Sequence, residues 1–286
     1  NGATHNETPS AACPSGPCAV IVAPPANFGP PPGIFSALDV TSGSATQNLI
    51  ADAVGDDPVL RRAGDTLYII NRNDGDNITL VDATALTLIS QIATGSSSNP
   101  YDVAVVGDKL YVPALGTAGV VELSASAQSI TKTIDLGSAV GDSDGQPDCA
   151  SAFAVGTDVY VACERLDESD PNLAPRGSGV VAVIDSTTDT VRTTVTLPVP
   201  NPQPFFAQLP DGDLVIPAQD YANAGSGCIV DITPGATPTA SCLVQNTDLD
   251  GTANHVAVAA DGALWMAVSA FDFSGASLSK WAGGTV

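Results

Sequence analysis

Residues Asn99 to Gly137 hold four short β-type runs joined by tight turns, and versions of this unit recur along most of the chain. The runs are Tyr101–Val106, Leu110–Pro113, Val120–Leu123 and Ser129–Leu136, broken at Gly107-Asp108-Lys109, Gly116–Gly119 and Ser124–Gln128. Short apolar or alternating runs punctuated by Gly, Asp and Ser predict antiparallel strands. The turn and second strand return as Gly64-Asp65-Thr66-Leu67-Tyr68, Gly156-Thr157-Asp158-Val159-Tyr160, Gly212-Asp213-Leu214-Val215 and Asp261-Gly262-Ala263-Leu264-Trp265. Their anchors Leu67, Leu110, Val159, Leu214 and Leu264 lie 43, 49, 55 and 50 residues apart. One four-stranded unit every 40 to 50 residues predicts an all-β fold: a β-propeller of four-stranded antiparallel blades.

The units divide the chain into blades at about 18–56, 57–98, 99–143, 146–200, 201–247 and 252–286. Six blades is the expectation, and seven fits if the chain is a piece of a longer one. Blade one lacks an inner strand and blade six a clear fourth. The polar leader, residues 1–17, supplies a candidate closing strand around Ala3 to Ser10. A terminal strand of that kind would cover sheet edges otherwise left open.

The stretches NPYDVAVVGDKLYVPALGTAGVVELS and LYIINRNDGDNITLVDATALTLISQIATG are similar to the YVTN-type propeller repeat, over about residues 57 to 268. That resemblance implies an extracellular, cell-surface or periplasmic protein, signal peptide removed, of a family that includes surface-layer and binding proteins. His255, read as just before an inner strand at the mouth of the central channel, is a candidate catalytic residue or a structural histidine. The stretch NHVAVAADGALWMAV is similar to blades of streptogramin lyases and metal-dependent lactonases, which implies an acidic loop face using His, Asn and Asp.

Six cysteines sharpen the compartment. Cys149 and Cys163 each lie seven residues from Gly156, and Cys228 and Cys242 each lie seven from Gly235. A hairpin centred on either glycine sets its cysteines opposite one another, within reach of a disulfide. Cys13 and Cys18 close a small loop. Three local disulfides predict an oxidising compartment. The formal net charge of −22 argues against nucleic acid and anionic membrane as partners. No apolar run is long enough for a transmembrane helix.

The candidate chemistry lies in the links between blades and in the loops from second to third strands, which share one end of the sheets. Asp142-Ser143-Asp144-Gly145-Gln146-Pro147-Asp148 and Asp248-Leu249-Asp250-Gly251-Thr252-Ala253-Asn254 both read D-x-D-G-x-x-[DN], and Asp74 and Asp76 flank Gly75 in a looser relative. Clustered oxygens on a sharply turning loop suit Ca²⁺. Solvated Asp/Gly turns give the same pattern without metal. Asp102, Asp220 and Asp272 are further acids for this end, and the insert Glu164 to Ser178 is the main departure from the minimal unit. The chain has no H-E-x-x-H and no C-x-x-C, and its two histidines lie far from the cysteines in sequence, which argues against zinc. Asn6-Glu7-Thr8 and Asn77-Ile78-Thr79 are glycosylation sequons. The function expected is a non-catalytic binding or scaffold module for a protein, a glycan or a neighbouring surface subunit. The alternative is a metal-dependent hydrolase or lyase.

Overall fold

The computed structural model describes residues 12–14, 16–25, 32–171, 173–221 and 223–284. The leader segment Ala3 to Ser10 and the first sequon lie outside these residues. The chain is a six-bladed β-propeller, all-β and antiparallel throughout. It divides into two compact units, residues 1–100 with 123–131, and residues 101–122 with 132–286.

The first unit holds two sheets. One contains β1 (Cys18–Ala23), β2 (Ile34–Asp39) and β3 (Ala45–Thr46). The other contains β4 (Pro58–Ala63), β5 (Thr66–Asn71), β6 (Asn77–Asp82) and β7 (Leu88–Ala93). Phe35, Ala37, Val54, Leu67, Ile69 and Val81 pack into one core.

The second unit holds most of the sheet of β8 (Ala104–Val106), β9 (Lys109–Ala114), β10 (Gly119–Ser124) and β11 (Ser129–Asp135), followed by a single helical turn, α1 (Gly137–Val140). Next come β12 (Cys149–Val155), β13 (Asp158–Cys163), β14 (Val180–Asp185) and β15 (Thr190–Thr196). The fifth sheet is β16 (Ala207–Gln208), β17 (Leu214–Ala218), β18 (Cys228–Thr233) and β19 (Thr239–Gln245). The sixth is β20 (Thr252–Val258), β21 (Leu264–Ser269) and β22 (Ala276–Trp281), three strands among the described residues.

Middle strands such as β13, β14 and β17 are buried on both faces, so they read as continuous Val, Ile and Ala rather than alternating apolar and polar. The inner strands β8 and β16 are short, at three and two residues, whereas β12 and β20 run seven. Pairing in the third sheet starts at Ala104, because Asp102 is fully buried and turns its carboxylate to the fourth sheet. There its Oδ2 accepts from Ser151 Oγ and Ala152 N, both at 3.0 Å.

The tyrosines of the repeat clamp neighbouring blades. Tyr111 donates to Asp189, in the hairpin between β14 and β15, and Lys109 Nζ reaches the same carboxylate at 2.7 Å. One blade on, the Tyr160 hydroxyl accepts from Gly235 N at 3.2 Å, in the hairpin between β18 and β19. Burial raises Asp189, but Lys109 and Tyr111 outweigh it and hold the carboxyl at about 2.

All three expected disulfides are present. Cys149 pairs directly with Cys163 across the ladder. Cys242 instead faces Val230, because a bulge at Ile229/Val230 shifts the register, and the Cys228–Cys242 bridge runs diagonally. That bridge closes a 14-residue separation, worth up to ~3 kcal/mol in the chain-entropy model. Replacing both cysteines by serine should lower Tm by roughly 5–10 °C and leave the far-ultraviolet circular dichroism of the native fold. An unchanged Tm would show that the bridge does not stabilise the fold.

Candidate functional site

The two D-x-D-G loops do different things. The first follows α1 in the link to β12. Asp142 Oδ2 accepts from Gly145 N at 2.8 Å, and Asp144 Oδ1 from Gln146 N at 3.0 Å. The same five residues, Gly141 to Gly145, spell the G-x-S-x-G of hydrolase nucleophile elbows. Here the run leaves a helical turn instead of a strand, and Ser143 Oγ accepts from Arg176 at 3.3 Å. In the second loop Asp248 caps a short 3-10 turn by accepting from Gln245 N at 3.2 Å. Asp250 adopts a left-handed φ of 50°. Asn254 sits in β20 and bonds Ser269 Oγ and Gln219 Nε2. The second trio is therefore spread over a cap, a turn and a strand.

Asp76 is likewise engaged by its own loops: its carboxylate accepts from Ser97 N, Ser98 Oγ and Asn99 N. The side chain of Asp74 lies outside the described residues. Asp220 and Asp272 accept from Ser226 Oγ and Ser274 N inside their own loops. The Asn77 sequon is locked: Asn77 Nδ2 donates to Gly75 O, and fully buried Thr79 donates to Ala53 O. His255 lies inside β20, exposed, stacked on Phe205 with ring centroids 6.1 Å apart. Among the described residues, no three His, Cys, Asp or Glu side chains group so as to hold a metal ion.

What the structure does assemble is a corner of the fourth sheet where the insert Glu164 to Ser178 meets the first D-x-D-G loop, a meeting that no spacing in the sequence indicates. The insert after β13 is an ordered hairpin. Leu166 bridges Pro175, and Arg176 N donates to Arg165 O at 2.8 Å. It is tied to the first D-x-D-G loop. Arg176 reaches Asp144 at 2.7 Å and Asp167 at 3.0 Å, and Arg165 donates to Gly141 O at 3.1 Å. Glu168 lies within hydrogen-bonding reach of both Asp144 and Asp148. Asp148 Oδ2 accepts from Leu166 N at 2.7 Å, and Glu164 N donates to Asp148 O at 2.9 Å.

These carboxyls separate sharply in acidity. Asp144, hydrogen-bonded by Glu168 and Gln146 N with Arg176 beside it, falls to about 2. Burial lifts Asp148 to about 8, and the nearby Glu168 and Asp144 add to it. Burial, then the charge of Asp148, lifts Glu164 to about 8. Carboxylates with cations or donors at hand ionise, and those walled in beside their own kind keep their protons.

A repeated device leads into this corner. Asn99, Asp148 and Asn201 open the third, fourth and fifth blades at equivalent positions, with left-handed φ of 48°, 51° and 45°. Asn99-Pro100 and Asn201-Pro202 show that equivalence in sequence, and the Val112-Pro113-Ala114 and Ile216-Pro217-Ala218 strands match as well. Asn and Asp tolerate that conformation better than other non-glycine residues.

No family model matches the chain, and no curated protein matches it. Solved structures do, at low identity. A putative 6-phosphogluconolactonase from Bacteroides fragilis is 16% identical with a TM-score of 0.60, over 94% of this chain and 78% of that one. The WD40 propeller domain of Doa1 is 9% identical with a TM-score of 0.52, over 82% and 68%. Kuenenia stuttgartiensis hydrazine synthase is 19% identical with a TM-score of 0.52 over 72% of this chain, which spans only about half (53%) of that protein. These likenesses show the propeller fold alone.

Asp148 and Glu164 hold protons in the folded state over a range where the unfolded chain, with carboxyls near ~4, has lost them. That contribution to stability is complete below about pH 4 and is lost as pH rises through about 8. Tm should drop by roughly 3–6 °C between about pH 5 and 8.5 in low salt. The Asp148→Asn/Glu164→Gln pair should flatten that slope in scanning calorimetry. An unchanged slope would assign the pH dependence elsewhere.

Proposed function

We propose that this chain is a non-catalytic binding module of an extracellular, cell-surface or periplasmic setting, and that the loop end of its second unit takes up a protein or glycan. The observation that carries this reading is a set of uncovered aromatic rings. Tyr221 is 66% exposed, Phe271 38% and Phe273 86%, on the second-to-third-strand loops of the fifth and sixth sheets. Leu173, 50% exposed, tops the insert of the fourth. These rings stand on loops at one end of their sheets, where an apolar face with a polar edge is open to a partner. Rings flanked by carboxyls, amides and hydroxyls suit both glycans and polypeptide side chains.

Three disulfides are consistent with an oxidising compartment, and no helix of the described residues is long and apolar enough to cross a membrane. The similarity of the blades to the YVTN-type repeat supports the surface setting. The non-catalytic part rests on the dispersal of the candidate groups: His255 is stacked on Phe205, and Asp250 and Asn254 serve separate elements.

Glycan and peptide arrays probed with the wild-type chain test the reading, repeated with Tyr221→Ala/Phe273→Ala and with Ile130→Ala, which is exposed on β11. The aromatic pair should lose the bound class by about tenfold or more at unchanged Tm, and Ile130→Ala should keep it. Equal binding by all three would remove the aromatic face as the site. Turnover of a lactone or ester by the pure chain would overturn the non-catalytic reading.

A further inference from the structure

The seam between the fourth and fifth sheets, inside the second unit, contains polar groups that the fold leaves unused. The ladder of β13 and β14 ends at Cys163↔Val180, and one step on it sets Glu164 opposite Gly179. Directly opposed residues of an antiparallel pair project to the same face. The face in question is the one toward the fifth sheet: a Cβ on Gly179 would lie 2.6 Å from Pro202 Cδ. Glu164 therefore points to the side where Pro202 sits, and Asn201 immediately precedes Pro202.

Around this point the groups are few and specific. Gln203 Nε2 donates to Asn201 O at 3.3 Å and to the Tyr221 hydroxyl at 2.9 Å. Tyr221 is near enough to Glu164 to feel its charge. Asn201 is fully buried, and neither its side-chain oxygen nor its side-chain nitrogen has a partner. A buried amide with both ends unmet is costly and rare in native proteins. No described donor bonds the Glu164 side chain. The guanidinium next in sequence, Arg165, gives its Nη groups to Ser178 O and Gly141 O, and its Nε is buried without a partner. Arg176 is spent on Ser143, Asp144 and Asp167.

We propose that this corner is a pocket for an organic cation, the ammonium or guanidinium head of a partner's basic side chain. The Glu164 carboxylate would be its counter-ion, the Asn201 amide oxygen its second acceptor, and the Tyr221 ring its outer wall. The proposal rests on the binding-module reading and names the chemistry of the partner: a basic polypeptide rather than a glycan. Tyr221, largely exposed and bonded to Gln203, stands on the solvent side, from which the head group enters. Its ring face adds a cation–π contact. The charge balance of the chain supports a cationic occupant, and the absence of a three-ligand group among the described residues favours an organic head over a metal ion.

The groups facing Glu164 fix the pH behaviour. Burial first, then the charge of Asp148 on its own sheet, keeps Glu164 protonated; Tyr221 faces it from the fifth, with Glu168 and Asp144 beyond Asp148. All are acidic, so the empty pocket keeps its protons at neutral pH and a cation must displace one. Binding should release a proton and tighten by about tenfold from pH 7 to 9 for a carboxyl that titrates near 8.

The test is calorimetric titration of the intact chain with Nα-acetyl-lysine amide, Nα-acetyl-arginine amide, Nα-acetyl-norleucine amide and Ca²⁺, at pH 7 and 9 in buffers of different ionisation enthalpy. The two basic amides should bind with proton release and norleucine amide should not. Glu164→Gln should weaken them at least tenfold, and Asn201→Ala severalfold, with Tm unchanged or raised. Binding that ignores Glu164→Gln, equal binding of norleucine amide, no binding of either basic amide, or Ca²⁺ binding in place of the amines would each overturn the proposal. If Glu164→Gln leaves array binding intact while Tyr221→Ala/Phe273→Ala removes it, the cation pocket alone fails. If the basic amides bind at Glu164 but the arrays show no partner, the module reading fails.

Discussion

A sheet packed on both faces has nowhere to put a polar side chain except at its ends, and that restriction governs this molecule. β9, β13, β14 and β17 are buried over nearly their whole length. Their residues are therefore small or β-branched, which suits a pleated surface pressed against another. Hydroxyls, amides and carboxylates are displaced to the hairpins at one end and to the blade links at the other. At the first end they fasten neighbours, as Tyr111 does to Asp189 and Tyr160 to Gly235. At the second they tie down loops, as Asn99, Asp76 and Asp148 do, and the Asn201 side chain is left buried without a partner.

Charge shortage decides what each collected carboxyl becomes. With nine basic residues against 31 acidic ones, most acids find no cation. Asp189 has Lys109 and Tyr111 and stays ionised deep into acid. Asp148 and Glu164 lie at the opposite end of the same sheet, where burial weighs most on them. With other carboxyls as their closest charges, they rise to about 8. One sheet thus carries a saturated anion at one end and an unsaturated pair at the other. The first is a fastening, because its stabilisation depends on a partner already in the fold. The second is poised for a partner that is not.

The sequence made most of this architecture legible because turns and doubly buried strands both leave local signatures. A Gly/Asp turn before an apolar run marks a hairpin entering a middle strand; five such anchors mark blades two to six, and the Phe35 to Val40 run marks the first. The cysteine spacing gave all three bridges, although a bulge made one of them diagonal, since an inserted residue changes register without changing composition. The site was less legible. Two identical D-x-D-G strings became a link loop and a helical cap, because what precedes them differs: α1 in one case, β19 in the other. Glu164, Glu168, Asn201, Gln203 and Tyr221 come together only through tertiary packing, and no spacing rule joins residues on separate strand ends. The available signal was the pair of Asn-Pro dipeptides at equivalent blade entrances, one of which places Asn201.

Comparison of those equivalent entrances shows why the seam after the fourth sheet differs from its neighbours. Asn99 Oδ1 accepts from Asn73 N, and Asp148 Oδ2 from Leu166 N, so in both cases the left-handed residue ties down a loop. At Asn201 the corresponding loop begins with Gln219 and Tyr221, and Gln219 turns instead to Ala253 O and Asn254. Tyr221 is drawn outward by Gln203. The amide that elsewhere closes a loop is left buried without a partner, beside Pro202, which packs directly against Gly179. The same conformational device that seals two blade entrances thus leaves the third unsealed, because the fifth blade spends its tying residues on the sixth.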